Sequence, residues 1–253
     1  METFLRETGR GDRAALGFWS TVSEPLLLEA LAAAGPDYVT IDMQHGTASE
    51  SVLVSLVQAV TAGGSVPIVR VPELRPATIM KALDAGARGV IVPLVEDASE
   101  AALAVSACRY PPRGSRSYGP FRAQIAHGTA DPGTLEQVAT IVMVETRRGI
   151  DHLEAIVATE GVTAVYLGPS DLSLALGLAP GSIDAPTFGA VVERVLALCE
   201  RHGVVPGIHC HDGMTARRWL ERGFRMVTVA ADMVSLRQAI ASELARARPG
   251  ARA

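Results

Sequence analysis

The chain has 253 residues, 48% of them hydrophobic, and a formal net charge of −4. That length suits one large core, and a single α/β barrel runs to about 250 residues. No basic stripe interleaved with aromatics suggests a nucleic-acid partner, and no apolar run reaches the roughly 18–20 residues of a membrane span. The first residues, METFLRETGRGDRAALG, lack an apolar signal core, and the three cysteines, Cys108, Cys199 and Cys210, are odd in number and scattered. Both features predict a cytoplasmic chain with reduced thiols.

Short apolar runs rich in Val, Ile and Thr alternate with helical patterns along the chain, as buried parallel strands and their crossovers do. ALGFWST reads as the first strand, followed by the helix SEPLLLEALAAAG, with Ser23 as its N-cap and Gly35 as its stop. DYVTIDMQ, VPIVRVP and GVIVPLV read as strands two to four, each followed by a helix: SESVLVSLVQAVTAGG, ATIMKALDAGA and DASEAALAVSACRY. TIVMVET is strand five, and RGIDHLEAIVATEG its helix. VTAVYLGPSD is strand six, leading into the short DLSLALG and then APTFGAVVERVLALCERHG. VVPGIHC and FRMVTVA complete the strands, with MTARRWLERG and ADMVSLRQAIASELARAR as the last two helices. Eight βα units predict one (β/α)8 TIM barrel spanning 1–253, with residues 1–12 and 249–253 flexible. One connection, from Tyr110 to about Thr140, runs to roughly 30 residues. That is far beyond the usual few, and it predicts a subunit-contact or pocket-covering segment over a solvated loop.

Four polar residues fall at strand ends, where packing gains least from them and where a barrel builds its chemistry. Glu145 and Asp171 follow consecutive strands and could share one hard cation, Mg²⁺ or Mn²⁺; the plainer alternative is two solvated or ion-paired loop acids. In GPSD, Gly168 and Pro169 shape a turn, and the amides of Ser170 and Asp171 open a helical turn of the kind that binds carboxylates. His45 suits a general acid or base, and Asp42 comes near it only if the chain bends at QHG. Arg70 suits an anion or a developing oxyanion, or else an ion pair with a neighbouring acid. His209, Cys210 and His211 read as lining of the pocket mouth, since a zinc site lacks further ligands. His127, His152 and His202 read as surface or loop residues. Lys81 is the only lysine beside 22 arginines, and it falls mid-helix, so Schiff-base chemistry is not expected.

These segments together resemble the HpcH/HpaI family of class II, metal-dependent pyruvate aldolases, the 4-hydroxy-2-oxoheptanedioate or 2-keto-3-deoxyglucarate aldolase group. The matching pieces are IDMQHG (41–46), PIVRVP (67–72), KALDAGARGVIVPLV (81–95), RYPPRGSRSYGP (109–120), VMVET (142–146), EGVTAVYLGPSDLSLALG (160–177) and PGIHC (206–210). The resemblance implies a barrel of the phosphoenolpyruvate/pyruvate type. It implies that Glu145 and Asp171 hold Mg²⁺ or Mn²⁺, with Co²⁺ or Zn²⁺ as substitutes. It also implies that the Ser170 and Asp171 amides hold the substrate carboxylate beside Gly168, and that Arg70 stabilises the enolate and the aldol oxygen. His45 is implied in proton transfer, with Asp42 nearby and Asp84 raising its basicity across a subunit boundary. A homohexamer with the last helix exchanged between subunits is implied as well. Two positions depart from the pattern: Met143 stands where a Gln often precedes the metal Glu, and Gln44 where an acid often precedes the His.

The expected reaction cleaves a 4-hydroxy-2-oxo acid to pyruvate and an aldehyde, or forms it from them. The alternatives are an acyl-CoA lyase of the citrate lyase β-subunit or malyl-CoA type, and a non-catalytic barrel. The first would need a CoA-binding segment that the chain does not show. The second leaves the joint presence of acids, histidine and arginine at strand ends unexplained.

Overall fold

The computed structural model describes residue 5 and residues 13–248; the predicted flexible segments 1–12 and 249–253 lie, apart from Leu5, outside the described residues. Eight parallel strands close into one barrel in sequence order. They are β1 (Ala15–Ser20), β2 (Tyr38–Asp42), β3 (Val66–Arg70), β4 (Gly89–Val92), β5 (Ala139–Met143), β6 (Ala164–Leu167), β7 (Val205–His209) and β8 (Met226–Ala231). Around them lie α1 (Pro25–Ala33), α2 (Glu50–Ala62), α3 (Pro76–Asp84), α4 (Ala98–Cys108), α5 (Phe121–His127), α6 (Pro132–Leu135), α7 (Arg147–Asp151), α8 (Leu153–Val157), α9 (Pro169–Ala175), α10 (Pro186–His202), α11 (Gly213–Arg222) and α12 (Asp232–Ala247).

Period-two alternation divides the core. Outward residues such as Val39, Ile41, Val69, Val90, Val142 and Val165 pack against the helices. Inward residues fill the barrel: Ala15, Tyr38, Ile68, Ile91, Ile141, Ala164, Tyr166, Val205 and Met226. Two large rings occupy its middle because two glycines give way. A Cβ on Gly17 would lie 2.0 Å from the Tyr38 ring, and one on Gly207 would lie 2.4 Å from the Tyr166 ring. Both tyrosine hydroxyls meet Thr228 Oγ1, at 3.5 Å from Tyr38 and 2.6 Å from Tyr166, so neither is left unpaired inside the barrel.

Several sequence-based boundaries shift. The cap of α1 is Glu24, not Ser23: Pro25 occupies the first helical position, where a missing N–H costs nothing, and Glu24 accepts from Leu26 N at 3.4 Å. Gly35 ends the helix with a φ of +93°, as expected. Strand β2 stops at Asp42, and residues 43–47 bend away from the sheet. The single helix expected after β5 is two short ones, α7 and α8, joined at His152.

The long connection is ordered and carries α5 and α6. Tyr110, Ala123 and Leu135 form a small core of their own. Arg116 is buried beneath it, with NH1 donating to Leu135 O at 3.1 Å, NH2 to Asp84 at 2.9 Å, and its guanidinium 4.7 Å from the Tyr110 ring. The segment keeps to the end of the barrel where strands begin and does not cover its own barrel's mouth. His127, expected on a surface or loop, is half-buried at the end of α5, with Nδ1 2.9 Å from Arg88 NH1. Burial and the neighbouring guanidinium push its pKa down to about 4.

Helix α12 is rooted at one point. Asp232 accepts from Ser20 Oγ, Thr21 N, Thr21 Oγ1, Val22 N and Met233 N. It is the only buried residue of that 16-residue helix. Met233, Leu236, Ile240 and Leu244 are exposed at helical spacing.

Candidate active site

The inward columns of the strands end, at the carboxyl face, in polar or aromatic residues. On β1 the column runs Ala15, Gly17, Trp19; on β2 Tyr38, Thr40, Asp42; on β3 Ile68, Arg70. On β5 it runs Ala139, Ile141, Met143 and then Glu145; on β6 Ala164, Tyr166 and then Gly168; on β7 Val205, Gly207, His209. The alternation that packs the barrel therefore also delivers these side chains to one mouth.

Asp42 and Arg70 are register partners on β2 and β3. Arg70 Nε donates to Asp42 Oδ1 at 2.8 Å, and NH2 donates to Oδ2 at 2.5 Å. Trp19 Nε1 donates to Asp42 Oδ2 at 3.2 Å, and the Arg70 guanidinium carbon lies 4.9 Å from the Trp19 ring centre. Burial raises the pKa of Asp42, but the Arg70 guanidinium, Trp19 and the Gln44 amide outweigh it and hold the carboxyl below its ordinary value. Arg70 thus sits in an ion pair and still faces the mouth. Its NH1 has no hydrogen-bond partner among the described residues.

Glu145 is 2% exposed. Its Oε1 accepts the Leu94 amide at 3.1 Å, while Oε2 is buried without a partner. Leu94 holds a φ of +56°, the only positive φ outside glycine among the described residues. That left-handed geometry, strained for leucine, turns its amide onto the carboxylate. A Cβ on Gly168 would lie 2.1 Å from Glu145 Oε2, so only glycine leaves the oxygen room. Burial first, then the nearby charge of Asp171, raise the Glu145 pKa to about 7, against the Leu94 amide and Arg70. Asp171 lies at the exposed start of α9, where Leu172 N is the first amide bonded back, to Gly168 O. The amides of Ser170 and Asp171 precede it and have no intrahelical acceptor.

This chemistry fits a hard divalent cation. Glu145 keeps a desolvated, unpartnered oxygen beside a second carboxylate, an arrangement that a positive charge would relieve. Among the described residues no group of three or more His, Cys, Asp or Glu gathers as a metal cluster, so a soft-metal site at His209, Cys210 and His211 is not formed. All three cysteines are buried.

The structure brings together Asp42, Arg70, Glu145, Gly168 and Asp171. His45 stands at the exposed rim in the bend after β2, where Asp42 Oδ1 accepts its backbone N–H at 3.3 Å and that of Gln44 at 2.9 Å. The bend expected at QHG is present, and Asp42 touches the histidine through its amide. Asp84 ends α3 at the far end of the barrel, bound to Arg116, and does not meet His45 within one chain. Lys81, exposed on α3, lines a surface cleft with Glu50, Asp84 and Arg122, away from the mouth. Met143 faces the barrel interior beside Gly168, and Gln44 Oε1 is buried without a partner. Trp19 and Leu94 carry no polar signal in the sequence; for Trp19, only its place at the end of an inward column hints at a role.

The chain has known counterparts. The family model described as HpcH/HpaI aldolase/citrate lyase matches residues 15–239. A relative named 5-keto-4-deoxy-D-glucarate aldolase, from Salmonella paratyphi A, is 35% identical over 226 residues, 88% of each chain. A crystal structure of an HpcH/HpaI aldolase/citrate lyase family protein from Burkholderia cenocepacia is 36% identical, with a TM-score of 0.90 over 97% of this chain and 99% of the other. That of an HpcH/HpaI aldolase from Desulfitobacterium hafniense is 26% identical, with a TM-score of 0.86 over 98% and 99%. The curated relatives at 35% identity are named aldolases, which fits an acyl-CoA lyase less well and sets aside a non-catalytic barrel. The chain belongs to the HpcH/HpaI aldolase/citrate lyase family, as a carbon–carbon lyase.

Proposed function

We propose that the chain cleaves 4-hydroxy-2-oxo acids to pyruvate and an aldehyde, or runs the reverse addition, with Glu145 and Asp171 as the metal ligands. The observation that carries this reading is the unpartnered, desolvated Glu145 oxygen beside Asp171 and across the mouth from Arg70. The oxygen-only donor set favours Mg²⁺ or Mn²⁺, with Co²⁺ or Zn²⁺ as substitutes. A divalent cation bound there supplies Lewis-acid polarisation of the 2-oxo group.

The chain's own residues do the rest. The Ser170 and Asp171 amides hold the substrate carboxylate at the start of α9. Arg70, fixed by Asp42 on two donors, offers NH1 to the oxygen on which negative charge develops. His45 takes the proton of the 4-hydroxyl as the C3–C4 bond breaks and the aldehyde carbonyl forms; the electron pair stays on C3, and His45 returns the proton there to give the pyruvate methyl. The relative's name, 5-keto-4-deoxy-D-glucarate aldolase, makes a sugar-acid substrate the first to test.

A second copy completes the site in this reading. Asp84 supports His45 of a neighbour, because in its own chain it lies at the opposite end of the barrel. The bare face of α12 supports a homohexamer with that helix exchanged, since a helix with four exposed apolar residues in one stripe buries almost nothing alone. Its first turns border an apolar cleft lined by Phe18, Val22, Leu27 and Leu31.

Deuterium exchange into the pyruvate methyl, followed by NMR with Mn²⁺ present, tests the half-reaction without knowledge of the aldehyde. Metal-dependent exchange is expected, and His45→Ala should slow it by about 10²–10⁴. Exchange that survives exhaustive chelation, or borohydride trapping of pyruvate on Lys81, would overturn the reading.

A further inference from the structure

Glu145, the start of α9 and Arg70 occupy the mouth from β3 to β6. The remaining arc, β7 to β1, carries a second set of groups. His209 is the last inward residue of β7, above Gly207. Its ring stands edge-on to Trp19, with centroids 4.9 Å apart and planes at 83°. It also stands edge-on to His211, with centroids 4.9 Å apart and planes at 78°. Neither ring nitrogen of His209 has a hydrogen-bond partner among the described residues, and neither is sealed from solvent. The ring is thus fixed by aromatic contacts while its polar atoms stay open to the mouth, one indole away from Arg70.

We propose that His209, with His211 beside it, is the specificity determinant for the aldehyde, hydrogen-bonding a hydroxyl group next to the carbonyl and so selecting hydroxyaldehydes over unsubstituted ones. The proposal rests on the aldolase reading above. The new C–C bond forms at pyruvate C3, so the incoming carbonyl must lie where Arg70 reaches its oxygen, and the rest of the aldehyde then extends onto the free arc. Burial above all, then His211 and Arg70, push the His209 pKa down to about 3, so its ring is neutral around pH 7. A neutral imidazole has one donor and one acceptor. A hydroxyl can pair with whichever nitrogen faces it, as donor or as acceptor, whereas a carboxylate can pair only with the N–H and a methyl with neither.

The test compares kcat/KM for the addition of pyruvate to glycolaldehyde and to acetaldehyde, with Mn²⁺, in the unmodified protein, His209→Leu and His209→Gln. The unmodified protein should favour glycolaldehyde by roughly 2- to 13-fold, the worth of a neutral hydrogen bond. His209→Leu should bring the ratio to about one, and His209→Gln, which keeps a donor and an acceptor, should recover most of it. No preference in the unmodified protein, or a ratio unchanged in His209→Leu, overturns the proposal. Pyruvate deuterium exchange is read in parallel. Its absence in the unmodified protein would fell the aldolase reading itself, whereas its loss in His209→Leu alone would make His209 a structural residue and overturn the specificity role.

Discussion

Arg70 and Asp42 meet fork to fork: Nε to Oδ1 at 2.8 Å and NH2 to Oδ2 at 2.5 Å, both groups buried at the ends of adjacent strands. Such a pair fixes the plane of the guanidinium, which a lysine cannot reproduce. The two variants should separate, because without Arg70 the Asp42 carboxylate keeps the N–H donors of Trp19, Gln44 and His45, whereas without Asp42 the guanidinium loses both acceptors. Arg70→Ala removes the group proposed to face the developing charge and should cost roughly 2–4 kcal/mol, or about 10²–10³ in rate. Asp42→Ala leaves a buried guanidinium unpaired and should destabilise the fold by about 3–5 kcal/mol as well as slow the reaction. Melting curves and pyruvate exchange, measured together, check both. Equal melting of Asp42→Ala and the unmodified protein would deny the pair its structural role.

Glu145 links metal affinity to pH. Its pKa is raised to about 7 from 4.5, so ionising it costs the metal-free fold. The sign follows: the folded state holds the proton more tightly, so stability is fullest below about 4.5 and is lost as pH rises through about 7. A shift of that size is on the order of 3 kcal/mol. Glu145→Gln should therefore melt higher than the metal-free protein at pH 8 and near it at pH 4. Because a cation must displace the proton, affinity for Mn²⁺ should fall about tenfold per pH unit below 7. Titration calorimetry across pH reads it, and an affinity flat from pH 5 to 7 would remove Glu145 from the ligand set.

Leu94 makes a backbone contact with an unusual φ. Leu94→Gly relieves the left-handed strain but frees the unfolded chain, so its melting should move by no more than about 1 kcal/mol. Leu94→Pro deletes the N–H given to Glu145 and cannot adopt the +56° φ. It should weaken metal binding and activity at least tenfold. Unimpaired Mn²⁺ binding by Leu94→Pro would show that the amide does not orient the carboxylate.

The stripe on α12 predicts a charge-sensitive assembly. Leu236 and Ile240 are exposed in a single chain, so replacing both with Asp should leave the barrel's melting nearly unchanged while dissociating the proposed oligomer. Sedimentation velocity distinguishes the states. A double variant that sediments like the parent would place the subunit contact elsewhere.

The barrel is legible in the sequence because each strand alternates in and out while each helix repeats near 3.6 residues. The same alternation makes Asp42, Arg70 and Glu145 readable, since each continues an inward column past its last apolar residue. What escapes is backbone geometry and distance. Leucine carries no sign that position 94 is left-handed, and Trp19 reads as one more strand hydrophobe. Asp84 shares a motif with the site yet ends a helix at the opposite pole, because a helix runs back across the barrel before its last turn. The two short helices between Tyr110 and Thr140 are hidden by proline and glycine, which break periodicity without preventing packing.

Asp232 gives α12 a hinge whose other leaf is the rim of the mouth. Its carboxylate grips Ser20, Thr21 and Val22, the three residues that follow Trp19. Whatever seizes the outer length of α12 thereby gains leverage on the indole that braces Asp42 and Arg70. The proposed subunit contact and the proposed alignment of Arg70 would share one anchor, and a solitary subunit would be expected to lose sharpness at the mouth before it loses its fold.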